Sequence, residues 1–203
     1  MDKDLRNKAL ILSYITVGYN ILEGIASIFA GVVAGSIALV GFGLDSFAES
    51  LSGGIMVWRF RRNGEMSEKE EERIERKATK LVAYTFFVLG VYVLYESVKK
   101  LYLRETPDPS LLGIIIAIIS IIVMPVLFYI KYRTGKSMKS RSLVADSKQT
   151  LACVFLSVAL LIGLGINYLY SIWWADPAVG LVIVAYLIRE GYTTLKEEKL
   201  CSC

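Results

Sequence analysis

Two carboxylates stand one helical turn apart in the middle of an apolar run. The run reads SIALVGFGLDSFAESLSGGIMVW, Ser36 to Trp58, and the acids are Asp45 and Glu49. At a bilayer midplane a carboxylate costs about 2.5–3.5 kcal/mol on insertion scales, so a pair there needs a function or a partner. Residues at i and i+4 share one helix face, which lets both carboxylates aim at one point. A second such pair follows from an internal repeat. Sliding the chain by 104 positions lays SIALVGFGLDSFAE (36–49) over SRSLVADSKQTLAC (140–153) and sets Asp45 on Gln149 and Glu49 on Cys153. Ser36/Ser140, Leu39/Leu143, Val40/Val144 and Ala48/Ala152 are identical in that overlay, and Gly41/Ala145, Gly43/Ser147 and Ser46/Thr150 pair small or hydroxylic residues. Two carboxylates, an amide oxygen and a sulfur make four donors, a number and a mixture that suit tetrahedral Zn²⁺. Asp45, Glu49, Gln149 and Cys153 are therefore the candidate metal ligands.

Two further acids lie near them. Glu23, with Asn20 on the same face, is expected to bond a neighbouring helix or to line the ion's path. Asp146, one turn before Gln149, is expected in the cytoplasmic vestibule through which an ion would arrive.

The elements that hold these residues must be membrane helices. The chain has 203 residues, of which 55% are hydrophobic, and its mean hydropathy is +0.52. Its apolar residues fall into six blocks of spanning length. The blocks, with their polar extensions, predict helices over 10–33, 36–58, 67–103, 111–132, 143–170 and 177–195, within one domain covering 1–200 and ending in a short tail, 201–203. The third helix is expected to begin in water, at a capping box formed by Ser67 and Glu70. Asp176 followed by Pro177 predicts the N-cap and first residue of the sixth. The fold class is all-α, a polytopic six-helix transmembrane bundle. A water-soluble bundle is excluded by segments such as LLGIIIAIISIIVMPVLFYI, which lack a polar face.

If the N-terminus is cytoplasmic, twenty of the 23 Lys and Arg residues fall on the cytoplasmic side; only Lys99, Lys100 and Arg104 lie outside. Both termini are then cytoplasmic, in the cell or inner membrane. The net charge of +4 follows from that asymmetry and calls for no nucleic acid. Trp58, Trp173 and Trp174 suit the two interfaces. The second span then runs outside to inside and the fifth inside to outside, so the repeat relating helices 2 and 5 is inverted. Many secondary transporters share this plan, with the substrate held near the midplane between the repeats. Cys153, Cys201 and Cys203 lie at membrane depth or on the reducing side, so no disulfide framework is expected.

In the stretches GSIALVGFGLDSFAES, YVLYESVKKL, SLVADSKQTL and WWADPAVGLVI the chain resembles the transmembrane domain of the cation diffusion facilitator (cation efflux) family. The resemblance implies six helices with metal ligands paired on the second and fifth, at the positions of Asp45, Glu49, Gln149 and Cys153. Members commonly carry His and Asp, or two Asp, on the fifth helix and add a cytoplasmic C-terminal domain. This chain has no histidine, and only KEEKLCSC follows its last span.

The resulting expectation is a transporter, not an enzyme, that exports a divalent transition metal, zinc first, from the cytoplasm. Cadmium or another such metal is the next choice. Alternating access with protons as the counter-ion would drive it, and no resident cofactor is expected. Its partners would be the metal, protons, the lipid bilayer and, through membrane helices with spacings such as Gly31-xxx-Gly35, a second copy. The alternative is a membrane partner or regulator that keeps this fold with an altered site and moves nothing. A hydrolase built on Cys153 is disfavoured because no imidazole is there to activate the thiol.

Overall fold

The computed structural model describes residues 3–61, 68–105, 107–138, 140–170 and 172–200. Among them are six helices and no strand: α1 Lys3–Ala34, α2 Ile37–Arg61, α3 Glu68–Leu103, α4 Leu111–Ser137, α5 Arg141–Tyr170 and α6 Ala175–Leu200. The expected cap at Ser67 and the tail cysteines Cys201 and Cys203 lie outside the described residues. α1 and α4 run past their apolar blocks into charged segments, because Lys, Arg and Glu are good helix formers and continue a helix into water.

Many polar residues are buried and many large apolar ones face outward. On α1 the buried positions Ser13, Thr16, Asn20, Glu23 and Ser27 recur at helical spacing, while Ile11, Ile15, Leu22, Ile25, Phe29 and Val32 point outward. α4 likewise exposes Leu111, Ile115, Ile118, Ile122 and Val126 and buries Ser120, Lys131 and Thr134. Such a surface is at ease only in hydrocarbon. Three helices, within α1, α4 and α5, are long and apolar enough to cross a membrane by length and composition alone. The molecule is a multi-pass membrane protein.

Packing is dominated by three antiparallel pairs, α1 with α2, α4 with α5 and α3 with α6, and α2 meets α5 at the centre. The first two pairs turn in the same way. After α1, Gly35 takes φ +61°, and the Ser36 N–H reaches back to Gly31 O at 2.8 Å. This is the six-to-one bond of a Schellman ending, where a left-handed residue favours glycine. After α4, Ser140 N–H reaches Gly135 O at 2.9 Å. Ser36 and Ser140 then cap their helices by accepting from Leu39 N at 3.2 Å and Leu143 N at 3.4 Å. The matched residues are those of the sequence overlay. Gly31 and Gly135 have matched duties too: a Cβ on either would collide with Val40 or Val144 of the following helix, at 2.8 and 3.0 Å. Gly31 is thus used inside the chain, against α2, rather than for a second copy.

Further along the same pair, a Cβ on Gly24 would come within 3.1 Å of Gly43 O, and one on Gly43 within 2.9 Å of Gly24 O. The two backbones touch there, and this brings Glu23 of α1 against Ser46 of α2.

Asp176 does not cap its own helix. α6 starts one residue earlier, and the Asp176 carboxylate instead accepts from Ile37 N–H at 2.8 Å and from the Ser36 hydroxyl. It caps α2 from a distance of 140 residues, because folding brings the start of α6 against the unsatisfied amides of α2. Lys100 of α3 donates to Gly35 O at the same corner. Asp176→Ala should therefore lower stability by about 1–2 kcal/mol through α2, while Asp176→Asn, which keeps an acceptor, should lose less. Thermal unfolding in detergent measures both.

Candidate functional site

The charged level lies between two apolar clusters. Towards one end Leu39 and Phe42 of α2 pack with Leu156, Leu160 and Leu164 of α5, and with Phe86, Ile183 and Leu187. Towards the other, Met56 and Phe60 of α2 meet Leu143 of α5 and Ala9 of α1. Asp45 and Glu49 fall between these layers, 1% and 0% exposed, opposite Cys153 at 1%. Charges held away from water at both ends interact strongly with whatever is beside them.

Cys153 is the hinge of the cluster. Its Sγ lies 3.2 Å from Asp45 Oδ2 and 2.9 Å from Glu49 Oε2. A thiol has one proton to donate, so the sulfur serves the two carboxylates in competition. The sequence expectation that Asp45, Glu49 and Cys153 meet is matched by these contacts between α2 and α5. Gln149 comes to the same helix face, 8% exposed, but its Nε2 is buried without a hydrogen-bond partner. Besides Cys153, the α5 residue that bonds Glu49 is the neighbour of Gln149, Thr150, whose hydroxyl donates to Glu49 Oε1 at 2.6 Å. Among the described residues no three His, Cys, Asp or Glu side chains form a ready-made cage around an ion position. The thiol and hydroxyl contacts hold the donors together as a hydrogen-bonded cluster. An arriving cation would have to displace those protons.

Asp146 differs most from its expected place. An open vestibule would leave it in water, yet it is buried at 3% and paired at 2.8 Å with Lys131 of α4. Its other oxygen is 3.4 Å from the Ser52 hydroxyl of α2. The correction has a physical cause: an intramembrane lysine facing the bundle needs an anion, and Asp146 is in reach. Lys131, counted among the cytoplasmic loop charges by sequence, is itself 0% exposed. Its position at the end of an apolar block reads as an interface anchor, and only the packing of α4 on α5 turns it inward.

Glu23 has both oxygens occupied: Tyr19 OH donates to Oε1 at 2.9 Å, and the Ser46 hydroxyl lies 2.9 Å from Oε2. It is tied to α2 through the residue next to Asp45. The polar chain goes on through Ser157, whose Oγ is 2.9 Å from Ser120 Oγ and 2.8 Å from Cys153 O. Four further buried polar atoms near these levels have no hydrogen-bond partner among the described residues: Asp45 Oδ1, Tyr186 OH of α6, and both Oδ1 and Nδ2 of Asn20. Tyr186 had no signal in the sequence. A tyrosine within an apolar α6 reads as a belt residue.

The central helices of this membrane-embedded bundle face each other with two acids and a thiol. The chain belongs to the cation efflux transmembrane domain family, which it matches over residues 13–200. It is 23% identical over 196 residues to Transmembrane protein 163 of Xenopus laevis, covering 96% of this chain and 69% of that one. It is 21% identical over 196 residues to a cadmium, cobalt and zinc/H(+)-K(+) antiporter of Bacillus velezensis, covering 94% of this chain and 61% of the antiporter. A cation-efflux pump, FieF, of Shewanella oneidensis is 23% identical over 169 residues, covering 81% of this chain and 57% of the pump. The chain thus spans from just over half to about two-thirds of the length of these relatives.

Proposed function

We propose that this protein carries a divalent transition-metal cation, zinc before others, across the membrane and out of the cytoplasm. The observation that carries the reading is Cys153 set against both Asp45 and Glu49 in the interior of the bundle. Soft sulfur beside two carboxylates favours Zn²⁺ or Cd²⁺ over Mg²⁺, which prefers oxygen and water. The family assignment and the printed name of the Bacillus velezensis antiporter support a metal and an exchanging cation.

Transport proceeds by alternating access around one site on α2 and α5, with protons from outside returning to the donors that the metal leaves. Two acids and a thiol this close cannot all ionise without a cation among them, so the metal-free cluster keeps protons. Orientation follows the basic-residue bias, with both termini in the cytoplasm. Any dimer forms through membrane helices. No catalytic chemistry is assigned.

Gln149 adjusts affinity rather than creating it, since its neutral amide adds little to two carboxylates and a thiolate. Gln149→His should retain or strengthen zinc binding at neutral pH. It should also make binding fall more steeply as pH drops through the imidazole range, because only neutral imidazole is a ligand. Isothermal titration at two pH values checks the slope. A pH dependence unchanged from the wild type would place position 149 off the metal.

The second reading, a membrane partner that moves nothing, is favoured by one observation: a lysine ammonium already sits 3.9 Å from Glu49. Uptake into proteoliposomes decides between them. Zinc, cadmium, cobalt and manganese are offered singly, with and without an imposed pH gradient. Gradient-stimulated zinc or cadmium uptake supports the carrier; no uptake of any of the four, by protein that is folded and inserted, supports the partner.

A further inference from the structure

Lys131 is the buried charge that transport by Asp45, Glu49 and Cys153 leaves unexplained. Its side chain is wholly buried, and its Nζ is 2.8 Å from Asp146 Oδ2, 3.0 Å from Thr150 Oγ1 and 3.9 Å from Glu49 Oε1. The Thr150 hydroxyl accepts from that ammonium and donates to Glu49 at 2.6 Å, so one oxygen links lysine and acid. A buried ammonium carries a large desolvation penalty, and pairing with one carboxylate would be enough to offset much of it. Here it is shared between Asp146, outside the candidate ligand set, and Glu49, inside it.

We propose that Lys131 is a tethered counter-cation of the metal site. With no metal bound, its ammonium offsets part of the Glu49 charge. When a dication binds at Asp45, Glu49 and Cys153, the two positive charges repel, and the ammonium is held by Asp146 alone. What changes is which carboxylate the ammonium neutralises. The consequence is an affinity kept low enough for release, because the protein carries a competitor for its own cargo. Asp146 is then a positioning residue that holds the ammonium within reach of Glu49, and Thr150 is the link between them. This inference rests on the carrier reading above.

The test is equilibrium binding of radioactive Cd²⁺, as the free ion at one fixed pH, to purified full-length protein. Uptake by proteoliposomes is measured in parallel. Lys131→Met should bind Cd²⁺ about tenfold tighter or more, since a positive charge beside the site has gone, and should turn over more slowly because release is impaired. Lys131→Arg, which retains the charge, should stay near the wild type. Lys131→Met leaves Asp146 unpaired and could fail to fold. The neutral replacement of both, Lys131→Met with Asp146→Asn, removes that hazard and should also bind tighter than wild type, by a smaller factor. A purely structural lysine predicts the opposite sign, unchanged or weaker binding in both variants. That result overturns the proposal while leaving the carrier reading intact. If Asp45→Ala binds Cd²⁺ as the wild type does, the site reading fails and the proposal falls with it.

Discussion

Asp45→Ala should abolish metal transport and leave a folded, inserted protein. Asp45 and Glu49 are the two anions whose charge a dication would neutralise, and both are shielded from water by apolar layers on either side. A charged contact in such a place is worth about 3 kcal/mol, or about a hundredfold in affinity. Glu49→Ala should do the same. Neither change should cost stability: each removes a buried acid and relieves its insertion penalty. After Glu49→Ala, Lys131 still has Asp146 at 2.8 Å. Transport is read as zinc or cadmium uptake into proteoliposomes, with thermal unfolding as the control for folding. Uptake by Asp45→Ala at the wild-type rate would falsify the site.

The second large effect belongs to Cys153. With Cys201 and Cys203 replaced by Ser, one thiol remains, and it is 1% exposed. A membrane-permeant maleimide should therefore react slowly, at a rate set by how often the bundle opens. Once it has reacted, transport should stop, since the adduct fills the space between Asp45 and Glu49. Bound zinc or cadmium should slow labelling about tenfold or more, as a sulfur held by a metal is less available to the reagent. Cys153→Asp should turn selectivity from cadmium towards manganese by replacing a soft donor with a hard one. If cadmium gives no protection and Cys153→Ser ranks the same metals in the same order, the sulfur is a packing residue. The site then reduces to the two acids with Thr150 and Gln149, and the non-transporting reading gains the advantage.

What could be read from residues alone was the number of helices and the faces of the two acid- and sulfur-bearing pairs. Hydrophobic blocks of membrane length fix six helices because every backbone amide in hydrocarbon must be bonded within its own segment. The i, i+4 pairs Asp45/Glu49 and Gln149/Cys153 declared their faces, since 3.6 residues make a turn. The 104-residue overlay placed those pairs opposite one another, and the structure joins α2 to α5 through Cys153. The Ser36 N–H bonds Gly31 O and the Ser140 N–H bonds Gly135 O, two like contacts at the first position of that overlay.

The tertiary structure alone decided which polar groups at one level became partners. Thr150 rather than Gln149 bonds Glu49, because a helix face is about 100° wide and one residue of rotation moves a side chain across it. Lys131 looked like a loop cation in the sequence, and its inward turn depends on α4 packing beside α5. Ser13, Thr16 and Ser27, which extend the face of Asn20 and Glu23, were hidden by their own chemistry, as small hydroxyls can bond their own helix and so pass unremarked in an apolar run. Asp176 caps a helix 140 residues away, a pairing that no local pattern encodes. Spacing is written along the chain, so it could be read there. Partnership between charges depends on distances across the bundle, and those exist only once the helices have packed.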